Sequence, residues 1–100
     1  MSTYVSLMSF TDQGIHNVRD TVKRADAAKA AAAKFGCKIV QIYWTMGQHD
    51  LVLVTKAPED AALAAFGLAI GSLGDARTQM MRAFTQDEMG TVLGKMLGQR

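Results

Sequence analysis

Hydrophobic residues fall into short aliphatic runs and into longer stretches in which they recur at helical spacing. Residues 4–10 read YVSLMSF, where serines interrupt bulky side chains, and they end at the turn-rich cluster TDQG. This pattern is typical of a strand. From Val18 to Phe35 the apolar positions follow one helical face, charged residues lie on the others, and Gly36 stands where helices commonly end. The first third of the chain therefore predicts a strand and then a helix.

Two β-rich stretches form the middle of the chain. Residues 37–46 (CKIVQIYWTM) and 49–56 (HDLVLVTK) are rich in β-branched and aromatic side chains, and Gly47 and Gln48 stand between them. Strand-forming residues on both sides of a glycine-containing dipeptide predict two strands joined by a tight hairpin.

Residues 57–74 have the pattern of a second helix. Pro58, Glu59 and Asp60 favour a first helical turn. They are followed by an apolar stripe at helical spacing, which consists of Leu63, Phe66, Ile70 and Leu73.

The end of the chain predicts a strand and a short helix. Residues 76–84 (ARTQMMRAF) form the strand pattern, and residues 85–97 carry a further apolar helical stripe. Thr85 and Glu88 have the spacing of a capping box, in which each side chain bonds the backbone amide of the other at a helix start.

The order strand, helix, strand, strand, helix, strand leaves few topologies. Because crossover connections are right-handed, such a chain forms a four-stranded antiparallel sheet with two helices on one face. The sequence therefore predicts an α+β, ferredoxin-like βαββαβ fold with a C-terminal helix. We expect a single domain over residues 1–100, since 100 residues correspond to one ordinary domain.

The predicted sheet has no cleanly polar face. Helices cover one face of such a sheet and leave the other open, yet neighbouring strand positions of both parities are apolar, as in Tyr4, Val5, Leu7, Met8, Leu51, Val52, Leu53 and Val54. Large exposed apolar patches usually mark an interface or a ligand groove. We therefore expect a homo-oligomer, dimeric or higher, formed by association of sheet faces.

Charge and hydropathy limit the other partners. The formal net charge is +2, and the basic residues between Arg19 and Lys38 are not interleaved with aromatic residues in the dense runs typical of nucleic-acid binding. Residues 61–74 are uncharged but fall short of the roughly 20 residues that a membrane span needs. We expect neither a nucleic-acid partner nor a membrane partner.

Cys37 is the single cysteine, so neither an intramolecular disulfide nor a thiolate-rich metal site can form within one chain. The sequence shows no metal-ligand spacing, phosphate-binding glycine loop or nucleophile motif. We expect no metal and no cofactor. The first residues lack the basic and long apolar regions of a secretory signal, which favours a cytoplasmic location.

His49 and Asp50 are the candidate catalytic residues, because an imidazole and a carboxylate can perform general acid–base chemistry. Adjacent strand residues point to opposite faces, however, which argues against a direct dyad in a regular strand. The structural alternative is that Asp50 accepts hydrogen bonds from turn amides or pairs with an arginine. His49 by itself is then a surface or interface residue.

Candidate ligand-binding residues lie on several strands. Arg77 and Arg82 are separated by an odd interval, so a regular strand places them on opposite faces, and one of them is a candidate partner for Asp50. Thr78 could hydrogen-bond a ligand. Tyr4 and Trp44, together with methionines, would line an apolar cavity between copies, although such residues more often fill cores.

The chain resembles the GYD domain family of small bacterial and archaeal proteins along nearly its whole length. The resemblance rests on YVSLMSFTDQGI, DTVKRADAAK, YWTMGQHDLV, KAPEDAALA and GDARTQMMRAFTQDE, in this order. It implies a ferredoxin-like fold akin to dimeric α+β barrels, and it implies no particular reaction. Departures from the family pattern are His49 in place of the name-giving tyrosine, Val22 in place of a proline and Lys56 in place of a glutamate.

Two functions are compatible with these patterns. The first is a small oligomeric module that binds a small molecule or serves as a scaffold, with a modest cavity near Trp44, Asp50 and Arg82. The alternative is a cofactor-independent enzyme, of monooxygenase or isomerase type, in which His49 or Asp50 is the base for a small hydrophobic substrate. The sequence leaves open whether the protein is an enzyme.

Overall fold

The computed structural model describes residues 1–98, and it confirms the α+β, ferredoxin-like fold. A 3₁₀ turn, Val18–Asp20, precedes the second helix. The elements in chain order are β1 (Ser2–Phe10), α1 (Asp12–His16), α2 (Thr21–Lys34), β2 (Lys38–Trp44), β3 (Leu51–Ala57), α3 (Asp60–Gly71), β4 (Ala76–Ala83) and α4 (Gln86–Met96).

The four strands form one antiparallel sheet in the order β2-β3-β1-β4. Tyr4 of β1 lies between Thr55 of β3 and Arg82 of β4, which fixes the register of the three strands. The pairing of β2 with β3 shifts between Ile39 and Gln41. A shift of this kind is a bulge, which changes the face to which the following side chains point.

The tight hairpin predicted at Gly47-Gln48 is wrong, because β2 ends at Trp44, β3 begins only at Leu51, and residues 45–50 form a longer loop. Thr45 closes this loop: its backbone amide donates to the Asp50 carbonyl at 2.8 Å, and its hydroxyl donates to the His49 carbonyl at 2.6 Å. Gly47 has φ of +114°, a backbone conformation that side chains with a Cβ rarely adopt.

The face of the sheet that α2 and α3 cover, here called the helix face, carries the core. Buried side chains of β1 and β3 alternate along it, and Leu63 and Phe66 of α3 pack onto it. The small helix α1 sits close to the start of β4, since a Cβ at Gly14 would lie 1.8 Å from the Asp75 carbonyl oxygen. Only a glycine permits that approach of α1.

The opposite face, here called the open face, is apolar and uncovered. Its half-buried centre consists of Val5, Leu7, Val52 and Val54, and its exposed apolar residues are Tyr43 and Met81. The alternation of side chains along each strand brings these residues to one surface. Within residues 1–98, no helix or strand forms a layer above this apolar sheet surface.

Helix α4 projects from the rest of the chain. The Thr85 and Glu88 capping box is present, as the spacing predicts, but no residue of α4 is buried. The radius of gyration is 15.2 Å, whereas a compact chain of this length has about 13 Å. The apolar stripe of α4 is therefore uncovered, and it consists of Met89, Val92, Leu93, Met96 and the following Leu97.

Candidate functional site

Asp50 ties the loop of residues 45–50 to the end of β1. Its carboxylate Oδ2 accepts a hydrogen bond from the Phe10 amide at 2.8 Å, and its own amide donates to the Met8 carbonyl at 2.8 Å. A carboxylate that accepts from a backbone amide forms one of the stronger types of protein hydrogen bond. The side chain of Asp50 thus bonds the backbone of β1, and not the arginine that the sequence suggested as its partner.

His49, on the same loop, lies beside Ser9 of β1. Its Nδ1 is 3.4 Å from the Ser9 hydroxyl oxygen, and that hydroxyl is also 3.4 Å from the Gln48 carbonyl. Both distances are at the long end of hydrogen bonding. The Asp50 carboxylate oxygen Oδ2 bonds the Phe10 amide, and the described residues show no hydrogen bond between Asp50 and the His49 imidazole.

A second polar cluster lies at the other end of β1. The Tyr4 hydroxyl donates to the Asp60 carboxylate at the start of α3. Arg82 pairs with Glu88 at 3.2 Å, and its guanidinium lies 5.7 Å from the centre of the Tyr4 ring and 4.6 Å from that of Phe84. Arg82 thereby links the sheet to the first turn of α4.

Two groups of this cluster have displaced pKa values. The hydrogen bond to Asp60, with burial as the next cause, raises the pKa of Tyr4 above its ordinary value. The pKa of Glu88 is lowered by the hydrogen bond from the Thr85 amide and then by Arg82. The Glu88 contribution to stability is therefore present above the unfolded-state pKa and is lost as the pH falls through the folded-state pKa.

We expect stability to depend on Tyr4 at alkaline pH. Because its folded-state pKa is raised, the Tyr4 contribution is complete below the unfolded-state pKa of about 10 and is lost as the pH rises through the folded-state pKa. Ultraviolet titration of the Tyr43→Phe variant isolates Tyr4. Its midpoint should exceed that of the same variant in denaturant, and Asp60→Asn should lower it; equal midpoints in the folded and denatured protein would contradict the Asp60 contact.

The structure does not bring the predicted site residues together. Asp50 contacts one end of β1 at Phe10, and Arg82 contacts the other end at Tyr4. Phe10 and Tyr4 are about 20 Å apart in an extended strand. Arg77 is exposed on the open face, whereas Arg82 is on the helix face, as their odd spacing predicts. Within residues 1–98, Asp50 and Arg82 are therefore too far apart to share one small cavity with Trp44.

Trp44 and Thr78 both lie on the helix side of the sheet. The Trp44 indole nitrogen donates to the Thr21 hydroxyl of α2 at 3.0 Å, although much of the ring remains exposed. Thr78 lines a cavity of about 290 Å³ between the sheet and the two long helices. Sequence reasoning missed this cavity; the available signal was the row of alanines in α2, which are too small to fill the space above a sheet.

No cluster of three or more histidine, cysteine or acidic side chains in residues 1–98 could hold a metal ion. Across the same residues, no helix combines the length and apolar character that crossing a bilayer demands.

Comparison with known families accounts for this arrangement of strands and loops. The family model of the GYD domain matches residues 4–93. The chain belongs to the GYD domain family. The match spans the loop that contains Gly47, His49 and Asp50.

One curated relative of this GYD protein is the glutamine synthetase and cystathionine beta-lyase binding protein of Thermus thermophilus. It is 27% identical over 84 residues, which are 83% of this chain and 88% of the relative.

Two solved structures share the fold. The crystal structure of MtbAldR has a TM-score of 0.66 at 10% identity; the match covers 85% of this chain and 52% of MtbAldR, so this chain corresponds to about half of that protein. The crystal structure of TTHA0845 from Thermus thermophilus has a TM-score of 0.55 at 24% identity, over 85% of this chain and 95% of the other.

Proposed function

We propose that this GYD protein is a homo-oligomeric binding module, in which open faces associate and the assembly binds another protein. The observation that carries the proposal is the amount of uncovered apolar surface, on the open face and on α4. The name of the Thermus thermophilus relative, a binding protein for two enzymes, supports binding rather than catalysis.

The surface area supports an interface of ordinary size. The chain exposes 6825 Å², whereas a compact monomer of this mass exposes about 5,500 Å². The excess of about 1,300 Å² exceeds the roughly 800 Å² that each partner buries in a standard interface. An assembly that covered the open face and α4 would remove this excess.

A second copy of the chain is the occupant that fits the open face best. The open face and the α4 stripe are both apolar, and α4 projects away from the sheet of its own chain. In a two-fold symmetric dimer both copies use the same surface patches, so a single interface would cover these patches on each copy. The methionines of α4 have flexible side chains that can adapt to the Val52 and Val54 surface in such packing.

Size-exclusion chromatography with light scattering, together with native mass spectrometry, tests the assembly. We expect an oligomer for the unmodified chain and a monomer for Val52→Lys, because the new ammonium would be buried unpaired at the interface. Leu68→Lys is the matched control, since Leu68 is 76% exposed on α3, which packs on the opposite side of the sheet. A monomeric unmodified chain, or equal masses for both folded variants, would rule out the open-face assembly.

The partner proteins are tested by co-elution. We propose enzymes as partners, and the first to mix with the purified chain are glutamine synthetase and cystathionine beta-lyase of the same source organism. If the monomeric Val52→Lys variant also co-elutes with one of these enzymes, partner binding does not require oligomerisation. Failure of both enzymes to co-elute would show that these two partners of the relative do not transfer to this chain.

The enzyme alternative keeps one observation in its favour, which is the approach of His49 to Ser9. An enzyme with His49 as base would lose turnover in His49→Ala while its oligomeric mass stayed the same. The binding proposal expects His49→Ala to leave partner binding and mass unchanged.

A further inference from the structure

We propose that the cavity between the helix face and helices α2 and α3 is a binding site for a small, neutral, mainly apolar molecule with one hydrogen-bonding group. The cavity measures about 290 Å³, and its walls come from both helices and from all four strands. The site lies within one chain, so it is independent of the open-face assembly proposed above.

The alanine-rich sequence of α2 creates the space. Ala25, Ala28 and Ala31 face the sheet at helical spacing, opposite aliphatic walls that include Ile42 and Leu53. Protein interiors normally contain few voids larger than a water molecule. Methyl side chains cannot reach across the distance that separates a helix from a sheet, so the void follows from the sequence of α2.

Thr78 provides the polar contact. Thr78 lines the cavity, and its buried hydroxyl oxygen has no hydrogen-bond partner within residues 1–98. Buried hydroxyl groups are nearly always hydrogen-bonded, and an unpaired one calls for an explanation. A ligand group that accepts from or donates to this hydroxyl would supply the missing bond, because a threonine hydroxyl can do either.

The charged groups at the cavity compensate each other. Arg24 and Asp75 both line it, with 3.7 Å between Arg24 Nε and Asp75 Oδ2, and both side chains are about one quarter exposed. Gln13 also donates to the Asp75 carboxylate, at 2.9 Å. Because the guanidinium already has an acidic partner, the site favours a neutral ligand over an anion.

The volume sets the size of the ligand. An apolar cavity of about 150 Å³ in another protein accommodates benzene, so this cavity has room for a bicyclic aromatic or a branched aliphatic compound. Indole is a suitable probe, since it is neutral, largely apolar and has one N–H group. Indene has nearly the same shape but lacks that group, which makes it the matched probe for the role of Thr78.

Gly67 provides a variant that fills the cavity. A Cβ at Gly67 would lie 1.8 Å from the Met80 methyl carbon, and both residues line the cavity, so Gly67→Ala forces the flexible Met80 side chain to move within it. Gly71→Ala is the control, because Gly71 is on the same helix and a Cβ there would have no neighbour within 4 Å. Thr78→Val keeps the shape of Thr78 and removes its hydroxyl.

Isothermal titration calorimetry of the full chain with indole and indene tests the proposal. We expect one site per chain for indole, at least tenfold weaker binding to Gly67→Ala, and unchanged binding to Gly71→Ala. Thr78→Val should weaken the binding of indole severalfold and leave the binding of indene unchanged. In the absence of a probe, the Thr78→Val variant should melt at the same temperature as the unmodified chain or higher, since the substitution removes no internal hydrogen bond. Failure of both probes to bind at millimolar concentration, or equal binding to Gly67→Ala and Gly71→Ala, would overturn the proposal.

Discussion

The Phe66→Ala variant should unfold with a free energy about 4 kcal/mol lower than that of the unmodified chain. Phe66 is 4% exposed and belongs to the core cluster, and its ring centre lies 6.0 Å from that of Phe35 in a tilted arrangement. The substitution removes buried apolar area and the aromatic pair, and the neighbouring cavity leaves little nearby material to fill the gap. Because a domain is stable by only about 5–15 kcal/mol, the loss should be large in any unfolding measurement.

Urea unfolding at fixed protein concentration, followed by circular dichroism, measures this effect. Leu68→Ala is the matched control. Leu68 lies on the same helix as Phe66 and is 76% exposed, so the substitution should change the free energy of unfolding by no more than about 0.5 kcal/mol. Fixed concentration matters because an oligomer is stabilised by mass action. Equal unfolding curves for Phe66→Ala and Leu68→Ala would contradict the assignment of Phe66 to the core.

Asp50→Ala should lower the unfolding free energy by about 2 kcal/mol. The substitution removes the acceptor of the Phe10 amide, which is bound at 2.8 Å, and detaches the loop of residues 45–50 from β1. Asp50→Asn keeps an oxygen at the same position and should cost less than Asp50→Ala. The order of the two variants therefore separates the loss of an acceptor from the loss of a charge.

His49→Ala is the control for the loop, because it removes a neighbouring side chain whose nearest polar contact is 3.4 Å long. We expect its melting temperature to remain close to that of the unmodified chain. If His49→Ala were as destabilising as Asp50→Ala, the stability of the loop would depend on the imidazole rather than on the carboxylate. Unchanged stability of both variants would show that the Asp50 bond to β1 contributes nothing measurable.

The candidate site was harder to predict from sequence than the fold. Local patterns placed Asp50 at the start of a strand beside a tight turn, but its partner, the Phe10 amide, lies on a strand far away in the chain. The tight turn was wrong for a related reason: the hydrogen bonds from Thr45 that close the longer loop depend on where β2 ends and β3 begins. Thr78 was named as a ligand contact without any indication that it lines a cavity between the sheet and the helices.

The sequence by itself determined the order of strands and helices, the capping box of α4, the opposite faces of Arg77 and Arg82, and the membership in the GYD family. These features depend on side-chain periodicity and on short-range contacts, which are written in consecutive residues. Only the tertiary structure decided that Asp50 bonds β1, that α4 projects, and that the alanines of α2 leave a cavity above Thr78. These outcomes depend on distances between elements remote in sequence, which no local pattern specifies.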